Sequence, residues 1–350
     1  MSKVTLLFIV LLVFPVQAKE QPSKTQLSSI LKEAEDYLSV KPSKTLTLLA
    51  TDINLAPLSE AEFFRWHITL IRASISLNRL SVMEHSIKKL IAHKSTTEFD
   101  RRLVSILSSI GIWLRKSGYL EQAKITFYCA LVHNKIDKLR IKLLVSIAIV
   151  FRHLDQTDSA IKIYNMAKNI VQDKKLTTSL GTIENNLGVL ALESNDVVKA
   201  EHHFRAALAI YQSNSNRSGN VVSGINLLQA FLIQNQQINY QRLHPSIARL
   251  TKAFPNKSRQ STLFWLNTVY QLRQGVKVSN EVKLQLIEKF ALISDRKLQF
   301  SLKKHFSDEL NIDVNLVSKT SQRNLPPLWL NEITQCDWDK LATFKIENLK

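Results

Sequence analysis

The chain has 350 residues, a formal net charge of +18 and only seven glycines. Ordinary proteins contain roughly 7% glycine, and phosphate-cradling loops and tight β-hairpin turns depend on its freedom at positive φ. The sequence contains neither G-x-G-x-x-G nor a P-loop, which argues against nucleotide-binding α/β folds and hairpin-rich β folds. A mostly helical protein is the class that remains.

The first eighteen residues have the three-part layout of a secretory signal peptide. Lys3 precedes an apolar run from Val4 to Phe14, and a proline and the small residues of Val-Gln-Ala follow, ending at Ala18. The apolar run is well short of the ~20 residues that a membrane-spanning helix needs. We therefore expect cleavage after Ala18, and a mature chain without a transmembrane segment in the bacterial periplasm or otherwise secreted.

Four amphipathic segments follow the predicted signal peptide and form two pairs. They are Ser28 to Val40, Ser43 to Ile53, Glu60 to Asn78 and Leu80 to His93. The terminal units of helical arrays are expected to be atypical. Residues 19–100 are therefore predicted to be degenerate helical hairpins that cap the N-terminal end of the fold.

Three segments within residues 101–240 align without gaps, with a period near forty residues. Each carries a small residue, then an alanine, an aromatic residue four positions later and another alanine three positions further on. The three sets are Gly111, Ala123, Phe127 and Ala130; Ala148, Ala160, Tyr164 and Ala167; and Gly188, Ala200, Phe204 and Ala207.

This pattern predicts two closely packed antiparallel helices in each unit. Small side chains are needed where two helix backbones approach one another. The aromatic residue is expected to fill the volume between one hairpin and the next, and short polar links are expected to turn the chain between helices. The sequence therefore predicts an all-α fold of stacked helical hairpins.

Beyond these units the helical register continues while the signature fades. Further helices are predicted at Val222 to Gln234, Tyr240 to Ala253, Ser261 to Arg273, Glu281 to Ile293 and Lys297 to Leu310. Residues 241–310 form a basic C-terminal helical region in this interpretation. Residues 311–350 form a tail with two adjacent prolines and several isolated aromatic residues, and the sequence leaves open whether this tail docks or is partly disordered.

Cys129 and Cys336 are the only two cysteines. An oxidising compartment permits them to pair, and a disulfide stays open as an alternative. Cys129 falls at an apolar helix position, which is typical of a buried free thiol, and Cys336 lies far away in the tail. The sequence favours two free thiols.

The repeated residues resemble the tetratricopeptide repeat (TPR) family, whose pattern has Leu-Gly in the first helix and Ala, an aromatic residue and Ala in the second. The best copy here consists of Leu187-Gly188, Ala200, Phe204 and Ala207. The longer period and Asn186 look more like the forty-residue repeats of kinesin light chains and related peptide-binding regulators. The resemblance implies an α-solenoid of antiparallel hairpins, whose first helices line a concave groove.

The same resemblance places candidate ligand contacts along that groove. They are Arg115, Lys116, Arg152, His153, Asn185, Asn186, Val189 and Asn226. In related groove binders an asparagine at the position of Asn186 and Asn226 clamps the backbone of an extended peptide, because its amide both donates and accepts hydrogen bonds. The alternative is that these are solvated polar residues on a helix surface.

The sequence carries no motif for catalysis or metal binding. It has no H-E-x-x-H, no Cys/His spacing suited to zinc and no G-x-S-x-G elbow. The adjacent His202 and His203 point about 100° apart on a helix, so they are poorly placed to bind one ion. We therefore expect a non-enzyme without a cofactor or a metal.

Positive charge restricts the choice of partner. From Tyr240 to Leu310 there are thirteen Lys and Arg against five Asp and Glu. Such a surface attracts anions, and export argues against nucleic acid. We expect an interaction module or scaffold for a peptide or protein segment, with acidic peptides as candidates. The alternative is an accessory protein that binds an anionic lipid or glycan of the cell envelope through the basic C-terminal half.

Overall fold

The computed structural model describes residues 21–50, 53–173, 176–253, 256–316, 327–344 and 347. The predicted signal peptide, residues 1–18, lies outside the described residues. Within them every regular element is a helix. No helix in these ranges is both long and apolar enough to cross a membrane. The all-α fold expected from the sequence is confirmed.

Fourteen helices of the described chain form seven consecutive antiparallel hairpins. Their bounds are α1 Lys24–Tyr37 with α2 Pro42–Leu49, α3 Glu60–Leu77 with α4 Leu80–Ile91, α5 Thr97–Lys116 with α6 Leu120–Val132, α7 Asp137–His153 with α8 Thr157–Asp173, α9 Thr177–Glu193 with α10 Val197–Ser213, α11 Arg217–Ile233 with α12 Gln237–Ala253, and α13 Lys257–Arg273 with α14 Asn280–Ala291. First helices pack against the first helices of neighbouring hairpins and form the inner layer of a solenoid. Second helices pack between them on the outside.

In each of six hairpins, a residue with a left-handed backbone conformation lies in the turn that terminates the first helix. These residues are Asn78, Gly118, Asp155, Asn195, Asn235 and Gly275. The next backbone N–H then donates to the carbonyl five residues back, as from Gln156 to Phe151 and from Gln236 to Phe231. This is the Schellman arrangement, which satisfies carbonyls left free at a helix end. Asn and Asp tolerate the conformation, so the turns form although glycine is scarce.

Aromatic rings of the second helices pack directly on the small residues of the first helices. A Cβ atom added to Gly188 would lie 2.6 Å from Cε1 of Phe204, and one added to Gly111 would lie 2.6 Å from Cε1 of Phe127. The six repeated alanines have no exposed surface. The sequence analysis placed the rings between successive hairpins. The structure shows that they also hold together the two helices of their own hairpin.

The last long helix, α15 (Arg296–Leu310), leaves the hairpin series and lies along the inner layer. Ser301 Oγ accepts a hydrogen bond of 2.9 Å from Nε2 of Gln229 on α11. Lys304 Nζ donates across 3.2 Å to Oδ1 of Asn195, in the turn after α9. The region predicted as one set of basic helices, residues 241–310, therefore contains two arrangements: α12 to α14 continue the hairpins, and α15 turns inward.

The described part of the tail docks on the outer layer near α4 and α6. It contains a 3-10 helix, Leu328–Glu332, and α16, Trp338–Ala342. A disulfide joins Cys129 on α6 to Cys336, with 5.7 Å between the two Cα atoms. The preference for two free thiols is therefore wrong. The tail folds back across α6, and a sequence separation of 207 residues hides that approach.

Replacing Gly188 by Val tests the close helix packing. We expect Gly188→Val to lower the free energy of unfolding by about 1–3 kcal/mol, because the added side chain overlaps the ring of Phe204. Urea unfolding followed by circular dichroism measures the loss. The matched control is Gln212→Val, which introduces the same side chain at an exposed position of α10. Equal losses in the two variants would contradict the packing argument.

Candidate functional site

Two adjoining cavities lie between the inner layer and α15. The larger, about 890 Å³, opens where the first helices α5, α7 and α9 end. The smaller, about 280 Å³, lies between α9, α11, α13 and α15. Five residues line both cavities: Leu192, Glu193, Asp295, Lys297 and Ser301. The concave face therefore holds one continuous recess that α15 partly fills.

All eight residues predicted for the groove line this recess. Arg115, Lys116 and His153 line the larger cavity. Arg152, Asn185, Asn186, Val189 and Asn226 line the smaller one. The repeat explains this placement, because equivalent positions of successive first helices face the same side of the solenoid. Whether they bind a ligand stays a prediction.

Arg152 is not a free cation of the groove. Its side chain is only 8% exposed; Nε donates to Oε1 of Glu193 at 2.7 Å and Nη1 donates to Oδ2 of Asp295 at 3.0 Å. Burial lowers the pKa of Arg152, but Asp295 and Glu193 outweigh it and raise that pKa. In the free protein two carboxylates of the chain therefore neutralise Arg152, and whether it contacts a ligand stays a prediction.

His153 and Asp295 respond to the same pair of arginines. Burial, with Arg152 and Arg115 close by, lowers the pKa of His153 to about 3, so the ring is neutral. Burial raises the pKa of Asp295, but the positive charge of Arg152 outweighs this and holds that pKa well below its usual range. Asp295 is therefore an ionised carboxylate that belongs to the ion pair with Arg152.

The asparagines have different roles. Oδ1 of Asn185 accepts hydrogen bonds from Ser223 Oγ at 3.1 Å and from Asn226 Nδ2 at 3.0 Å, which links α9 to α11. Nδ2 of Asn186 donates to the carbonyl of Thr182 at 2.7 Å. Asn185 therefore links two inner helices, and its predicted contact with a ligand stays a prediction. The amide oxygens of Asn186 and Asn226 have no hydrogen-bond donor among the described residues.

Two predicted cations lie in the recess without a carboxylate in contact, as far as the chain is described. Nη1 of Arg115 lies 3.5 Å from Nε2 of His153, and the buried Nε has no hydrogen-bond partner. Burial lowers the pKa of Arg115 to about 10. Lys116 Nζ donates to Oδ1 of Asn78 at 2.8 Å. Burial, with Arg115 and Arg259 close by, lowers the pKa of Lys116 to about 8.

Arg259, at the start of α13, is a third such cation, and the sequence analysis missed it. It lines the smaller cavity, and burial lowers its pKa. The available signal was the period itself. The first helices α9, α11 and α13 begin at Thr177, Arg217 and Lys257, which are forty residues apart. Residues near Lys257 therefore occupy a groove position, although the signature residues are absent there.

Part of the basic C-terminal charge is neutralised within the chain. Nε of Arg273 pairs with Glu309 at 2.7 Å, and Nζ of Lys303 pairs with Asp313 at 2.9 Å. Lys297 pairs with Asp155 at 2.8 Å. This region therefore offers less free positive charge to a lipid or glycan than the count of basic residues indicates, and the lipid or glycan hypothesis stays a prediction.

Among the described residues, no group of three or more His, Cys, Asp or Glu is placed to hold a metal ion.

Comparisons with known proteins agree with this architecture. Residues 139–213, which run from the first turn of α7 to the end of α10, match the family model described as tetratricopeptide repeat. A stretch of 98 residues is 29% identical to the transcriptional activator NprA of Geobacillus stearothermophilus. This match covers 28% of the chain and 23% of NprA, so it spans less than a quarter of that relative.

Two solved structures share the fold over most of the chain. One is a Rap protein complexed with competence and sporulation factor, with a TM-score of 0.54, 14% identity, and coverage of 85% of this chain and 86% of that one. The other is the Rap conjugation gene regulator of the plasmid pLS20 in complex with the Phr* peptide, with a TM-score of 0.58, 12% identity, and coverage of 93% and 100%. At this identity the likeness concerns the fold alone. The chain is a helical repeat protein, and its residues 139–213 match the tetratricopeptide repeat model.

Proposed function

We propose that this protein is a binding module that holds an extended peptide segment, rather than catalysing a reaction, in the recess between its inner helices and α15. The observation that carries the proposal is the recess itself. It is continuous, it follows three successive repeat units, and Arg115, Lys116 and Arg259 line it without a carboxylate in contact among the described residues.

The chemistry of the recess favours an acidic peptide. A ligand carboxylate near Arg115 and Lys116 would form charge-assisted hydrogen bonds, which are stronger than neutral ones. It would also offset the desolvation free energy of the positive charges that are buried in the recess. The amide oxygens of Asn186 and Asn226 can accept hydrogen bonds from peptide N–H groups. Of the similar solved structures, one is a complex with a peptide, which supports a peptide as the ligand.

The first test of the proposal uses a displayed library of random heptapeptides, panned on the mature chain. We expect enrichment of acidic sequences, which are then synthesised and measured by fluorescence anisotropy. Arg115→Glu should weaken their binding by about tenfold or more, because it replaces attraction by repulsion. The matched control is Arg249→Glu, the same charge change at an exposed position of the outer helix α12. Failure to enrich any sequence, or an equal loss of affinity in both variants, would argue against peptide binding in the recess.

Peptide binding should also depend on pH through Lys116. Its pKa is lowered to about 8, so it loses its charge as pH rises from 7 to 9.5. Since the bound carboxylate needs the charged form, we expect affinity for the selected acidic peptides to fall over this range. Lys116→Arg keeps the charge and should remove most of the fall. Anisotropy titrations at constant ionic strength measure both; identical pH profiles would exclude a role for Lys116.

We also propose that the protein is exported. The signal-like residues 1–18 support this, and so does the disulfide between Cys129 and Cys336, because structural disulfides persist mainly in oxidising compartments. The protein isolated from its native cells should begin at Lys19, as read by N-terminal sequencing. After unfolding without reductant, iodoacetamide should label neither cysteine, whereas Cys336→Ser should be labelled once. A retained Met1, or two labelled cysteines in the native sequence, would count against export.

A further inference from the structure

The helix α15 is held by two different kinds of contact. Its buried residues Leu302 and Phe306 belong to the same apolar cluster as Trp265 and Phe290 of the last hairpin. Gln299 also donates to the carbonyl of Phe290 at 2.9 Å. Apolar burial of this kind is lost only when the core opens. We therefore treat the half of α15 that carries Leu302 and Phe306 as fixed in the core.

Polar contacts tie Asp295 and α15 to the inner helices of the middle repeats. Asp295 pairs with Arg152 of α7, and Lys297 Nζ donates to the Arg152 carbonyl at 2.7 Å. Lys304 and Ser301 add single hydrogen bonds to the turn after α9 and to α11. Water and ions can replace polar contacts of this kind, whereas apolar burial has no such substitute. The N-terminal end of α15, where Asp295 and Lys297 contact Arg152, is the part that can separate.

Loss of the Asp295 contact has a specific cost. Arg152 is only 8% exposed, and without Asp295 one end of its guanidinium would be buried without a partner. A buried charge that loses its partner is strongly destabilising. A carboxylate supplied from outside would restore the pairing. The closed arrangement is therefore stable in the free protein, and an acidic ligand is the agent that can replace it.

We infer that Arg152 is the docking point for a carboxylate of the bound peptide, and that Asp295 occupies this point in the free protein. The inference rests on the proposed function and adds the order of events: the peptide carboxylate exchanges with Asp295, and the N-terminal end of α15 moves away from α7. Arg115 and Arg259 lie near the site of this exchange, and their positive charges favour an acidic ligand. The internal contact therefore lowers the apparent affinity of the free protein for its ligand.

The deciding variant is Asp295→Asn in the full mature chain. Asn has nearly the same size and still accepts the backbone hydrogen bonds that cap α15 from Lys297 and Leu298, so it removes mainly the charge on Arg152. We expect the acidic peptides selected on the unmodified chain to bind about tenfold more tightly to this variant. The same peptides with Asp and Glu replaced by Asn and Gln should gain nothing. Asp308→Asn, at an exposed position of α15, is the matched control and should leave affinity unchanged.

Two further measurements test the exchange independently of Asp295→Asn. Lys297→Gln removes a second tie between α15 and α7, so it should raise affinity in the same direction even if Asp295→Asn folds poorly. Hydrogen exchange on the unmodified chain should show faster exchange in α15 when peptide is added, and unchanged exchange in α8. If Asp295→Asn and Lys297→Gln bind no more tightly than the unmodified chain while Arg115→Glu still blocks binding, the exchange is wrong and groove binding survives. If no peptide binds any form, the proposed function fails and the inference fails with it.

Discussion

The packing of an aromatic ring onto a small residue of the facing helix sets how closely two helices of a hairpin approach. Phe204 lies against Gly188, and Phe127 against Gly111, at distances that leave no room for a Cβ atom. Hairpins packed in this way stack with their first helices side by side on the inside. The ends of α5, α7 and α9 are therefore neighbours, and residues near those ends meet in one recess.

This dependence explains which parts of the fold and the site the sequence could predict. Helix faces follow from local periodicity, so the hairpins and the eight groove positions could be assigned from residues a few turns apart. Which side chains those residues contact depends on the curvature of the whole solenoid. Asp295 is 143 residues from Arg152, and Cys336 is 207 residues from Cys129. No local pattern encodes either approach, so the neutralisation of Arg152 and the disulfide could not be read from the sequence.

Two arginines at similar repeat positions have different partners in the structure. Arg152, in the last turn of α7, lies beside the turn that precedes α15, where Glu193 and Asp295 surround it. Arg115, in the last turn of α5, has His153 as its neighbour. A buried guanidinium is tolerable when carboxylates satisfy it, and it attracts an anion when they do not. In the free protein one of these repeated cations is therefore paired within the chain, and the other lies without a carboxylate in contact among the described residues.

The disulfide anchors the tail to the outer layer of the solenoid. It joins α6 to the tail, and the covalent ring that it closes includes every helix from α7 to α15. The two cysteines are 207 residues apart, and a crosslink that closes so long a loop stabilises a fold mainly by restricting the unfolded chain. The disulfide therefore opposes global unfolding, whereas the ion pair between Arg152 and Asp295 acts within the folded state. Exchange at Asp295 thus leaves the covalent closure on the outer layer intact.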